Sequence, residues 1–221
     1  MGEEVREFLL CVFERLLERY GPQNWWPAET PFEMAVGAIL TQATAWRNVE
    51  RALGNLKSRG LLDPFLLSRI SEEELWELLR PSGFFREKAR RVRAFANFLV
   101  ERYEGSLEKL LSKSAEEARA ELLSLPGIGE ETADSILLYA GGKPVFVVDS
   151  YARRIFSRLG VDAAGRSYKD FQAFFMNNLP LDARIFSEYH ALLVRHGKEV
   201  CRKKPLCERC CLEDLCSAIF K

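Results

Sequence analysis

The chain has 221 residues, a mass of 25.3 kDa and 48% apolar content, enough for one sizeable core or two modest ones, which excludes intrinsic disorder. Lys plus Arg equals Asp plus Glu at 32 each, so a surface for a polyanion has to come from local segregation of charge. The longest stretch without an ionisable side chain, Met34 to Trp46, has 13 residues, short of the roughly 20 that a membrane-spanning helix needs, and no membrane partner is expected.

From the N-terminus, Val5, Phe8, Leu9, Val12, Phe13, Leu16 and Leu17 recur at helical spacing, and the same period returns in most later segments. This predicts an all-α fold. Acids and arginines run through this first segment, unlike the head and core of a secretory signal, and Arg6 breaks the myristoylation pattern of Gly2. Breakers such as Gly21-Pro22, Asp63-Pro64, Pro81-Ser82-Gly83, Pro126-Gly127, Gly141-Gly142 and Gly197 divide the chain into about ten or eleven short helices. Asn24-Trp25-Trp26-Pro27 sets two indoles beside a Pro in an irregular segment, by default a core plug or hinge. Bases dominate Arg86 to Arg102, Lys143 to Lys169 and Arg195 to Lys204. Each run alone reads as a solvated face, but three runs beside the motifs below point to phosphate binding.

Residues Ala115 to Tyr139 read as a helix, the turn Leu125-Pro126-Gly127-Ile128-Gly129, and a second helix opened by Glu130-Glu131-Thr132-Ala133. Gly127 and Gly129 allow close backbone approach, and the amides opening the second helix suit a phosphate, although a plain capped turn has the same composition. The one strand-like run, Val145 to Val148, is too short to support a sheet and predicts a buried extended connector. Asp149 follows it, just before an Arg-rich helix from Tyr151 to Leu159, where an acid is either a helix cap or catalytic. Five of six cysteines crowd into Cys201 to Cys216, which suits a metal site in a reducing cytoplasm better than a disulfide framework. Cys201, Cys207, Cys210 and Cys216 leave gaps of five, two and five residues; four thiolates accept either a [4Fe–4S] cluster or a structural zinc, and Cys211 offers an alternative register. Cys11, standing apart, reads as a core thiol.

The stretch LPGIGEETADSILLYAGGKPVFVVDSYARRIFSRLG resembles the helix-hairpin-helix plus Gly/Pro-Asp signature of the endonuclease III superfamily of DNA base-excision glycosylases. The likeness extends over nearly the whole chain. It implies two all-α lobes with a DNA-binding cleft between them: a six-helix barrel over 28–140 with the hairpin at 115–139, and a second lobe made of 1–27 plus 141–221 with the cysteines at 201–216. It implies that Asp149 is the catalytic acid, stabilising the oxocarbenium ion and orienting or deprotonating water. Phe32 to Thr44, ending LTQAT, resembles the core helix and the loop whose Gln, here Gln42, fills the space left by the flipped base. SGFFREKARRV resembles the loop that intercalates into the duplex, with Ser82 and Phe84 at the wedge positions. Gly127, Gly129 and Thr132 are the hairpin's DNA-binding residues on the same carry-over.

Bifunctional members carry a Lys two residues after the second turn glycine, which attacks the sugar and cuts the strand through a Schiff base. This chain has Glu131 there, implying a monofunctional enzyme. WWP before the first core helix, Trp46 after LTQ-x-T-x, and RPSGF before the basic helix look most like the bacterial 3-methyladenine glycosylase branch. That likeness implies a base pocket of Trp25, Trp26, Trp46, Glu131 and Lys198, the last in an HGK that the same branch shares and otherwise a Lys near a helix C-terminus. Indole faces suit positively charged methylpurines. The cysteine spacing, with KP before Cys207 and LEDLC at the end, resembles the superfamily's iron-sulfur loop and favours [4Fe–4S] over zinc, with Cys210 as ligand because it preserves the final two gaps. The partner implied is duplex DNA containing a damaged base, bound by a monomer in a bacterial or archaeal nucleoid. A uracil or mismatch-thymine glycosylase, or a catalytically silent structure-specific DNA binder, stay open as alternatives.

Overall fold

The computed structural model describes residues 2–217, and these contain twelve α-helices and no strand. They are α1 (Gly2–Tyr20), α2 (Pro31–Leu40), α3 (Trp46–Ser58), α4 (Pro64–Arg69), α5 (Glu72–Leu79), α6 (Phe85–Tyr103), α7 (Leu107–Leu111), α8 (Ala115–Leu123), α9 (Glu130–Ser135), α10 (Ser150–Arg158), α11 (Tyr168–Met176) and α12 (Ala183–Glu199). A π turn, Ile136–Ala140, continues α9. None of the described helices is long and apolar enough to cross a membrane.

Side-chain oxygens set most helix starts. Thr30, Asp63, Ser71, Ser106, Ser114, Asp149, Ser167 and Asp182 each accept an amide of the helix that follows, and Ser114 with Glu117 completes a reciprocal capping box. Pro31 and Pro64 stand in the first turns of α2 and α4, where their missing N–H removes no bond.

The chain forms two compact units. One is Trp26–Lys143; the other joins the segment ending at Trp25 to the segment starting at Pro144. The first residue and the last four of the expected second domain lie outside the described residues. Trp26–Lys143 holds α2 to α9, eight helices rather than the expected six, because caps at Asp63 and Ser106 open the short helices α4 and α7. Its centre is α2, where every residue from Phe32 to Leu40 is buried.

The other unit packs aromatic rings. Phe146 stacks on Phe175 at 3.8 Å between centroids, and Phe156, Phe171, Phe186 and Tyr189 surround them, all fully buried. Tyr189 carries its hydroxyl inward by donating to the carbonyl of Leu9 at 2.7 Å, which ties α12 to α1. Val145 to Val148 is buried and forms neither helix nor strand, so it supports no sheet, as its length predicts. Gly197 corrects an expectation: it lies inside α12 rather than ending it. A Cβ there would lie 2.5 Å from Cδ1 of Tyr151, so its role is close helix approach.

Candidate functional site

Arg119 holds the hairpin's two helices together, its guanidinium meeting the fully buried Asp134 through Nε at 2.6 Å and Nη2 at 3.1 Å, with Glu130 at 3.3 Å. The turn requires Gly127, whose φ of +77° lies in the left-handed region; Gly129 is extended and caps α9. Gln42 braces this turn, donating from Nε2 to the Gly127 carbonyl at 3.0 Å and to Thr132 Oγ1 at 2.9 Å, while Arg91 donates to its Oε1. Gln42, Gly127 and Thr132 are thus brought together, with Thr132 buried and its hydroxyl engaged by Gln42. Glu131 is exposed in the first turn of α9.

The loop before α6 separates the two expected wedge residues. Phe84 is 73% exposed at φ +46°, a left-handed conformation that strains a bulky side chain by roughly 1–3 kcal/mol. Ser82 does not project: it is fully buried, its hydroxyl donating to the Leu79 carbonyl at 2.8 Å. Its backbone carbonyl accepts from the buried Lys88 Nζ at 2.7 Å. Ser82 and Lys88 therefore pin the loop, leaving Phe84 alone at its tip.

Burial, assisted by the nearby charge of Arg91, pushes the Lys88 ammonium down to about 8. The folded protein then binds fewer protons here than the unfolded chain between about pH 8 and pH 10.5, so this residue's contribution to stability rises with pH across that window. Denaturation of wild type and Lys88→Met at several pH values is expected to show the difference moving in favour of wild type as pH increases through it. A difference independent of pH contradicts this assignment.

The three tryptophans expected in the base pocket divide between the units. Trp26 packs edge-on against Trp46 at 5.2 Å and against Tyr139, on the π turn, at 5.3 Å. Tyr139 was not expected in this group, and its place at the end of the hairpin's second helix is the one sequence feature that could have found it.

In the other unit, Asp149 takes the first of the two places its sequence position allows, that of a helix cap. It caps α10, with Oδ1 accepting the Ala152 amide at 2.7 Å, and its Oδ2 lies 3.6 Å from Nε2 of buried His190. Trp25 stacks on the His190 ring at 5.8 Å and 20°. Lys198 Nζ stands 6.0 Å from the centroid of Trp25 and 5.9 Å from that of Tyr151. The segment carrying Trp25 is tied to α12 by the Gln23 amide, which donates to Glu188 Oε1 at 2.6 Å, and by Arg195, which donates to the Tyr20 carbonyl at 3.1 Å. His190 escaped the sequence reading, although the chain holds only two histidines.

Cys201, Cys207, Cys210 and Cys216 line one cavity of about 200 Å³, with Arg158, Val200, Pro205 and Leu206. Cys211 does not line it. Arg158 Nη1 donates to Cys201 Sγ at 3.2 Å, and the Arg158 carbonyl faces Cys216 Sγ at 3.4 Å. His196 Nε2 lies 3.5 Å from Cys210 Sγ, with its Nδ1 2.9 Å from the Tyr20 hydroxyl. Burial pushes the Cys210 thiol up to about 11. Among the described residues no three His, Cys, Asp or Glu side chains converge closely enough to hold a single ion.

Comparison with known proteins places these elements in a family. The model of HhH-GPD superfamily base excision DNA repair proteins matches residues 36–181. The chain is 48% identical over 218 residues to a candidate DNA repair glycosylase of Methanocaldococcus jannaschii, covering 98% of this chain and 99% of that one. It is 31% identical over 191 residues to endonuclease III of Thermotoga maritima, covering 84% and 82%. Among solved structures it is similar to the 3-methyladenine DNA glycosylase of H. pylori bound to 1,N6-ethenoadenine, with a TM-score of 0.76, 29% identity and coverage of 90% and 97%. An endonuclease III trapped as a covalent intermediate with DNA shares the fold at a TM-score of 0.83 and 23% identity, covering 96% of each chain. The chain belongs to the HhH-GPD superfamily of base excision DNA repair proteins.

Proposed function

We propose that this base excision repair protein is a monofunctional DNA N-glycosylase that removes alkylated purines such as 3-methyladenine from duplex DNA. The reading is carried by two separate observations, a buried carboxylate, Asp149, at the start of α10, and a carboxylate, Glu131, at the position where a bifunctional enzyme needs an amine. Neither Lys143 nor Lys198 occupies the position of that amine: Lys143 Nζ donates to the Lys113 carbonyl at 2.6 Å, and Lys198 faces the Trp25 and Tyr151 rings. Indole faces support the choice of an alkylated purine, as does the likeness to the H. pylori enzyme.

The flipped nucleotide loses its base when the N-glycosidic bond breaks and the bonding electrons leave with the base, which neutralises a cationic methylpurine. Positive charge develops at the sugar, where ionised Asp149 stabilises it. Water then adds to the anomeric carbon and gives up a proton, with Asp149 as the acceptor, leaving an abasic site. Phe84 is the wedge that fills the duplex, and the turn braced by Gln42 meets the phosphate backbone.

The four cysteines that line the cavity fit a [4Fe–4S] cluster in the chemistry of their donors, which are all soft thiols. Cys201, Cys207, Cys210 and Cys216 would hold it. A cluster there supplies a structural cross-link and no step of glycosidic hydrolysis. It would shape the loop of Arg202, Lys203 and Lys204, whose carbonyls at 202 and 203 accept from Arg158 at 2.7 and 3.1 Å.

Strand breakage tests the monofunctional reading. After incubation with methylated duplex DNA, strands are expected to break only on alkaline treatment, and borohydride is expected to trap no protein–DNA adduct. Breakage without alkali together with a trapped adduct would show that an amine of this chain attacks the sugar.

A further inference from the structure

We propose that His190 is a positioning residue for Asp149, and that it connects the carboxylate to Trp25; this rests on Asp149 being the group that acts on the sugar. The backbone holds only half of the carboxylate. Oδ1 is fixed by the Ala152 amide at 2.7 Å, whereas Oδ2 points to Nε2 of His190 at 3.6 Å. That separation is longer than a hydrogen bond and closes with a small rotation, as contacts of free active sites do when substrate binds.

The sequence of α12 puts the imidazole there. His190 and Gly197 are seven residues apart and so lie on one helix face two turns apart. Gly197 admits Tyr151, where a Cβ would lie 2.5 Å from the ring. Arg154 donates to the carbonyls of Gly197 at 2.9 Å and Cys201 at 2.8 Å. These contacts fix α10 against α12 at one end, and the start of α10, with its Asp149 cap, falls opposite His190. A leucine would fill the same buried space, 4% exposed, without a ring N–H to present to the acid.

Trp25 gives this contact a second consequence. Its indole stacks on the imidazole at 5.8 Å, and its segment is held on α12 through Gln23 and Glu188. The stacked indole therefore limits how far the imidazole can turn away from Asp149. Glutamine at position 190 keeps an N–H donor close to the place of Nε2 and loses only the stacked ring.

The test is single-turnover base release by wild type, His190→Leu, His190→Gln and Asp149→Asn, on methylated duplex and on duplexes with uracil or a thymine mismatch, with duplex affinity and thermal unfolding measured alongside. The rate for His190→Leu is expected to fall by at least about tenfold while that for His190→Gln stays within a few-fold of wild type, with duplex affinity unchanged throughout. A His190→Leu protein as fast as wild type overturns the assignment, as does equal slowing in Leu and Gln variants, which marks packing alone. If Asp149→Asn retains full activity, the reading of Asp149 fails and the role of His190 falls with it. If wild type releases a pyrimidine instead of a methylpurine, the substrate reading fails alone, and the His190 comparison is decided on the pyrimidine released.

Discussion

Asp149→Asn is expected to slow base release by at least about a hundredfold, on the scale of a group that stabilises developing charge, while leaving the fold and duplex affinity intact. Asparagine is the informative substitution because it separates the cap that Asp149 makes from the chemistry proposed for it. Its Oδ1 caps α10 by accepting the Ala152 amide, and Asn caps a helix about as well as Asp. The neutral amide cannot offset positive charge on the sugar or accept a proton from water. Asp149→Ala removes both roles and adds about 1 kcal/mol of lost capping to the loss of chemistry. Release by Asp149→Asn at the wild-type rate contradicts the mechanism.

The second large effect is expected at the cysteines. Cys201→Ser, Cys207→Ser, Cys210→Ser and Cys216→Ser are each expected to yield colourless protein with little iron and a lowered thermal transition, since binding at a structural metal site is largely folding free energy. Cys211→Ser is expected to stay brown and keep about four iron atoms per chain. The contrast follows from the cavity, which Cys210 lines and Cys211 does not. Stoichiometric zinc in wild type contradicts the cluster, and iron lost from Cys211→Ser but kept in Cys210→Ser contradicts the register.

Much of the fold was legible in the sequence because helix signals are local. Period, caps and prolines are read within a few residues, and Val145 to Val148 declared itself by its length. What escaped depends on side-chain and backbone contacts that composition does not encode, most of them between residues far apart in the chain. Gly197 has the composition of a helix end, but the ring of Tyr151 explains it inside α12. Ser82 lies next to an exposed loop tip, yet its hydroxyl and carbonyl are taken by Leu79 and Lys88. Trp25 and Trp26 are neighbours in sequence but pack with His190 and with Trp46 and Tyr139 respectively, a division that no spacing within Asn24-Trp25-Trp26-Pro27 encodes. His190 carries no motif. Only the folded contact with Asp149 distinguishes it from an ordinary buried histidine.

The measurement that bears most directly on the whole account is the identity of the base set free when the wild-type protein, with its cysteine loop loaded, acts on methylated duplex DNA. Free 3-methyladenine is expected, released by wild type and not by Asp149→Asn. Intact methylated DNA beside release of uracil or mismatched thymine from parallel duplexes would contradict it, and would place the protein among pyrimidine-removing enzymes.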